Sequence, residues 1–268
     1  MVTAVDDPEI AETALEAGIY GYIIKPFNVN EMIINIRNSL RRRELEIADR
    51  AYRGNLEQEV EERTAELQKT LSGVIYALTM TVEYRDPYTA GHQQRVSDLA
   101  SAIAKEMGFS GDKIMGIRIA GALHDIGKIA IPVEILSKPG RLSKTELDLI
   151  KNHSQVGYDI LKSIKFPWPI AQIVLQHHER MDGSGYPNGL LGQEILIEAR
   201  ILGVADVVEA MASHRPYRPA LGIDKALEEI SISKGKFYDV EAANACLKIF
   251  KEKEFELQQR ANASESKN

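Results

Sequence analysis

Residues 110–128 read Ser-Gly-Asp-Lys-Ile-Met-Gly-Ile-Arg-Ile-Ala-Gly-Ala-Leu-His-Asp-Ile-Gly-Lys. Ser110 is a good N-cap, and behind it Ile114, Ile117, Ala120 and Leu123 recur every three residues. Together these mark a capped helix with apolar residues along its length. The run ends in His124, Asp125 and Lys128. The stretch therefore predicts a core helix that carries a histidine–aspartate pair at its end.

The pattern continues on both sides. A helix is predicted from about Gly91 to Met107, stopped by Gly108, with Pro87 closing the helix before it. Ser143 and Glu146 form a capping box ahead of Leu147 and Ile150. Pro169 falls in the first turn of a helix carrying Ile170, Ile173 and Val174. From Ser72 to Phe250 no alternating strand pattern competes. The one long irregular stretch, Asp182 to Gln193, holds four glycines and a proline, and loops of that size are usually functional. Residues 251–268 are polar and predicted to be a frayed tail.

Upstream the pattern changes. Val2 to Val5 is apolar, Glu9 to Ala17 is helical with Gly18 as its stop, Tyr20 to Ile24 is β-prone, and Glu31 to Leu40 carries Met32, Ile33, Ile36 and Leu40. This βαβα order implies a piece of a parallel sheet, and two strands need further neighbours to make a domain. Residues 41–69 then hold seven basic and eight acidic residues, threaded by a stripe of Leu56, Val60, Leu67, Leu71, Val74 and Leu78. A charge-laced helix with so narrow a seam suits a parallel coiled coil between two copies, the alternative being one solvated helix resting on its own domain. Gly54 breaks the pattern and is read as a candidate hinge. The predicted divisions are an α/β segment over 1–42, a coiled-coil linker over 43–78, a helical domain over 79–250 and a tail over 251–268.

The 268 residues suffice for one or two domains. With 33 Lys and Arg against 39 Asp and Glu, the net charge is −6, which argues against a nucleic-acid polymer or an anionic membrane as partner. Apolar runs fall far short of the roughly 20 residues that cross a bilayer, and the N-terminus lacks signal-peptide features. Cys246 is the only cysteine, so neither an intramolecular disulfide nor a thiolate metal cluster is available. A cytoplasmic protein is expected.

Five histidines, His92, His124, His153, His177 and His178, lie on or at the ends of predicted helices. Asp206 sits in the run Ile201-Leu202-Gly203-Val204-Ala205-Asp206-Val207-Val208, where an unpaired carboxylate would cost several kcal/mol. A divalent cation supplies the missing charge. A lone histidine on an apolar face is usually a hydrogen-bonded core residue, but five with a buried aspartate reverse that expectation. The set exceeds one tetrahedral ion, whereas two ions bridged by Asp125 would use it all. A pair of ions about 3.5–4 Å apart is the usual clamp for phosphodiester hydrolysis. Lys128, three residues after Asp125, is placed to donate to a phosphate oxygen. His214, between Ser213 and Arg215, reads as surface or supporting.

His124-Asp125-Ile126-Gly127-Lys128 resembles the HD motif of the HD-superfamily phosphohydrolases. His177-His178-Glu179 followed by Asp182-Gly183-Ser184-Gly185-Tyr186-Pro187 resembles the signature of the HD-GYP subfamily, as do residues 85–92 and Arg215-Pro216-Tyr217-Arg218. The resemblance covers about residues 72–250. It implies a mainly α protein, an all-helical HD-type metal-dependent phosphohydrolase bundle that hydrolyses cyclic di-GMP to pGpG or GMP. It also implies metal ligation by His92, His124, Asp125, His153, His177, His178 and Asp206, with Lys128 and Asp125 catalytic. Tyr186, Arg215 and Arg218 would contact the dinucleotide. Three-metal members place a Glu where Tyr88 stands here, which implies two divalent ions, Fe or Mn first, with Co, Ni or Zn also suited. A catalytically weak binding module, or a phosphodiesterase for another cyclic dinucleotide, is the competing expectation. Residues 1–42, with Thr3 and Lys25-Pro26, resemble the C-terminal half of a response-regulator receiver domain, whose phosphoacceptor would lie upstream and whose partner would be a sensor kinase.

Overall fold

The computed structural model describes residues 1–4, 7–85, 91–213, 220–253, 255 and 257. The chain divides into two compact units, Met1–Thr70 and Leu71–Asn268.

In the first unit, β1 (Val2–Thr3) pairs in parallel with β2 (Ile23–Ile24), with Val2 opposite Ile23 and Thr3 opposite Ile24. Helix α1 (Pro8–Glu16) crosses between them, and α2 (Val29–Glu83) follows, its residues from Leu71 on belonging to the second unit. The βαβα order is that read from the sequence, though each strand is only two residues long. Helix α2 differs from expectation. It joins the predicted 31–40 helix and the linker into one 55-residue helix that runs through Gly54 without a break. A single glycine costs a helix about 1 kcal/mol, and its neighbours are mostly strong helix formers with i,i+4 pairs such as Arg53 to Asp49 at 2.9 Å. The hinge expected at Gly54 is absent. Ile33, Ile36, Leu40, Ile47, Leu56, Val60 and Leu67 are all exposed on this helix.

The second unit is built from helices. α3 (His92–Glu106) buries Val96, Leu99, Ala100, Ile103 and Ala104, the spacing of a single helical face. α4 (Gly111–Leu123) starts at the Ser110 cap, whose side chain accepts from the Lys113 N–H. A 3-10 turn, Ile126–Ala130, and short α5 (Val133–Leu136) follow. α6 (Lys144–Lys151) has the predicted capping box: Glu146 accepts from the Ser143 N–H at 2.7 Å, and Ser143 Oγ accepts in return. α7 (His153–Leu161) packs on the 3-10 turn and on α8 (Ile170–Gln176).

α9 (Ile197–Ala212) is buried nearly all round, through Ile201, Leu202, Val204, Ala205 and Val208. α3, α10 (Ile223–Ser233) and α11 (Val240–Glu252) cover it. Truncating a wholly buried residue such as Leu99 to Ala should cost about 2–5 kcal/mol. Within the stretch expected to be a polar tail from residue 251, Phe255 and Leu257 pack against the core, and the Phe255 ring lies 5.4 Å from that of Phe250. No helix of the described residues is long and apolar enough to cross a membrane.

Candidate metal centre

Helix ends deliver most of the site. His92 and His153 open α3 and α7, His124 and His177 close α4 and α8, and His178 comes next in the chain. Asp125 leads into the 3-10 turn, and Asp206 lies in the middle of α9. All but His178 are buried, and His178 is half-buried. Adjacent rings stand 5.1–5.3 Å apart in a chain from His92 through His124, His177 and His153 to His178, and the His177 and His178 rings lie 4.0 Å apart. Their donor atoms form three overlapping groups: His92, His124 and Asp206; His124, Asp125 and His177; and His153, His177 and His178.

The backbone fixes which nitrogen faces inward. Nδ1 of His124, His153 and His177 lies 2.7, 2.7 and 2.5 Å from the carbonyl oxygen three residues earlier. A carbonyl only accepts, so each Nδ1 carries the hydrogen and each Nε2 presents a lone pair to the cluster. Nε2 of His153 and Nε2 of His177 then face each other at 3.3 Å with no hydrogen between them. Burial holds both imidazoles below their ordinary pKa, His177 down to about 3 with His124 and His153 adding to the effect. Two opposed lone pairs at that distance repel unless a cation lies between them. Nε2 of His124 is likewise buried without a hydrogen-bond partner. The donor set therefore fits divalent metal.

Asp125 is divided between the two ends of the cluster. Its Oδ1 lies 3.4 Å from His153 Nε2, while Oδ2 lies 3.4 Å from His124 Nε2 and 3.8 Å from His92 Nε2. Oδ2 also accepts from Lys128 Nζ at 2.7 Å. Burial alone would raise this carboxyl's pKa; the Lys128 ammonium and the surrounding histidines hold it well below the ordinary range. Asp206, 3.3 Å from His92 Nε2, is held well below that range against its burial by His92 first, with His124 and His178 adding to the effect.

His92 has a different anchor. Its Nδ1 bonds to Oε2 of Glu209, a wholly buried carboxylate whose Oε1 accepts from Arg95 at 2.7 Å and from Ser213 Oγ at 2.6 Å. Burial opposes a charge on His92, but Glu209 and then Asp206 reverse that and raise its pKa to about 9. Glu209 and Arg95 were missed in the sequence. The available signal was spacing: Glu209 stands three residues after Asp206, on the same side of a buried helix.

Tyr186 comes close to the cluster, its ring 4.7 Å from that of His178 and tilted by 31°. Lys151 Nζ lies 5.4 Å from the same ring. Arg215, Arg218, His214 and Tyr88 fall outside the described residues.

An all-helical bundle with buried histidines and carboxylates gathered at its helix ends is the arrangement of a metal-dependent hydrolase. The profile of the family described as "HD domain" matches residues 77–242, more than half of the chain. The cyclic di-GMP phosphodiesterase of Thermotoga maritima is 41% identical over 94% of this chain and 71% of its own length. The cyclic di-GMP phosphodiesterase response regulator RpfG of Xanthomonas campestris is 37% identical over 92% of this chain and 66% of its own length. The chain thus spans about two thirds of each relative. A crystal structure of cyclic GMP-AMP-specific phosphodiesterase from Vibrio cholerae shares the fold at a TM-score of 0.52 and 19% identity, over 68% of this chain and 49% of that one. The chain belongs to the HD-domain family, in its HD-GYP branch.

Proposed function

We propose that residues 79–250 form a phosphodiesterase that hydrolyses cyclic di-GMP to pGpG, GMP or both, using two divalent ions. The observation that carries this is the inward-facing imidazole set, above all the opposed Nε2 atoms of His153 and His177 at 3.3 Å. His92, His124 and Asp206 would hold one ion, His153, His177 and His178 the other, with Asp125 shared between them. Ions bound there would supply Lewis acidity and an activated water.

The chain's own residues do the rest. Nδ1–H bonds to carbonyls and to Glu209 fix the tautomer and orientation of His92, His124, His153 and His177. Lys128 keeps its ammonium at the edge of the cluster, placed to donate to a phosphate oxygen while bonded to Asp125. Tyr186 offers a flat face for a base, and Arg215 and Arg218 supply planar donors for phosphate or guanine. Fe or Mn is the expected metal, with Co, Ni and Zn also suited to His and carboxylate ligands.

The test is release of pGpG or GMP by protein of measured metal content, with other cyclic dinucleotides in competition. Binding without turnover would make the chain a nucleotide-binding module, and preference for another cyclic dinucleotide would change the substrate. Both outcomes replace the proposal.

Residues 1–42 are proposed as a receiver-like segment that meets a sensor kinase, and 43–78 as a coiled-coil linker that forms a homodimer. The exposed stripe of Leu56, Val60, Leu67, Leu71, Val74 and Leu78 supports pairing. A monomer in light scattering at micromolar concentration would refute it. A cytoplasmic setting is proposed with them.

A further inference from the structure

Glu179 follows the two adjacent histidines, yet its carboxylate points away from them. It is buried, 5% exposed, and reaches along the chain to the 182–193 loop. Oε1 accepts from the Asn188 N–H at 2.7 Å and Oε2 from the Leu190 N–H at 3.0 Å. The two donors are two residues apart, so one carboxylate caps both.

Other contacts draw the loop to the same place. The Tyr186 N–H donates to the His178 carbonyl at 3.3 Å. Gly185 lies so close to the main chain of 179–180 that a Cβ there would stand 2.4 Å from both Glu179 Cα and Arg180 N. The neck is closed by a bridge between Asp182 and Leu191, with the Gly192 N–H donating to the Met181 carbonyl at 3.0 Å. Tyr186 is thereby laid over His178, with Lys151 beside it.

We propose that Glu179 is a positioning residue for substrate: its paired hydrogen bonds hold the 182–193 loop on the His178–Glu179 backbone, so that Tyr186 faces the dinucleotide. This rests on the substrate role proposed above for Tyr186. Gln is nearly the same size but has one acceptor, and its amide would set N–H against N–H at one of the two sites. Ala removes both acceptors.

The test compares Glu179→Gln, Glu179→Ala, Tyr186→Ala and the double variant Glu179→Gln/Tyr186→Ala. Metal content, kcat and KM for cyclic di-GMP are measured, together with amide exchange across residues 186–191. For Glu179→Gln, KM should rise about tenfold and by more than kcat falls, with metal content near wild type. The double variant should be no worse than Tyr186→Ala, because both act through one ring, and exchange should accelerate in the loop. Additive losses, loss of metal, or unchanged loop exchange would overturn the proposal. If wild-type protein leaves cyclic di-GMP intact, the substrate reading fails, while the exchange result still decides whether Glu179 holds the loop.

Discussion

Gly127 is the position where one methyl group should do most damage. It lies in the 3-10 turn between Asp125 and Lys128, pressed against the start of α7. A Cβ built there would stand 1.9 Å from the His153 carbonyl oxygen and 2.6 Å from Gly157 N. Real Cβ contacts stay at or beyond 3.0 Å, so the turn and α7 must part by about 1 Å, and both obstacles are backbone. The same displacement would stretch the 3.4 Å spacing of Asp125 Oδ1 and His153 Nε2, whereas metal ligation tolerates about 0.2 Å. Overpacking of this kind costs about 1–3 kcal/mol and sometimes more, and each kcal/mol shifts Tm by about 2–4 °C in a unit of this size. Gly127→Ala, melted in chelator, should therefore lose about 5–10 °C and should fail to retain two ions per chain by elemental analysis. Gly54→Ala is the control. Nothing lies within 4 Å of its added Cβ, and it should stabilise α2 by up to about 1 kcal/mol. If Gly127→Ala melts within a degree of wild type and keeps its metal, the close approach of the turn to α7 is not what sets the site.

Asp125→Ala should lose both ions and all hydrolysis while the helical circular dichroism survives, because each Asp125 oxygen faces a different part of the cluster. Two ions per chain in that variant would sink the bridging assignment. Metal-free protein should lose stability as pH rises from about 6.5 to 9. Folded His92 keeps its proton to about 9, whereas in the unfolded chain the proton leaves near 6.5. The stabilisation is complete below 6.5 and declines by at most about 1.4 kcal/mol per pH unit above it. Urea midpoints in chelator measure this, and a slope that is flat or upward would contradict the His92–Glu209 pairing. Glu209→Gln should flatten the slope.

Much of the site could be read from the sequence because metal chemistry needs rare residues in unusual surroundings. His124-Asp125 at the end of an apolar helix, and Asp206 inside an apolar run, stand out without any coordinates. What stayed hidden depends on contacts between distant segments. Glu209 holds His92 across 117 positions. A lone Glu in a helix looks like a solvated charge until the helix is known to be buried on every side. Gly127 was visible as part of a motif, but its reason lies in the His153 carbonyl and Gly157, which no local pattern reveals. At Gly54 the sequence suggested too much. The glycine was read as a candidate hinge, yet one glycine's cost of about 1 kcal/mol is small beside the cooperativity of a helix already formed on both sides. Phe255 and Leu257 are likewise two apolar residues among charges in the stretch read as a tail, and only the packed structure shows them resting on the core. Local chemistry thus announces the ligands, while the groups that aim them become visible only once the helices are packed.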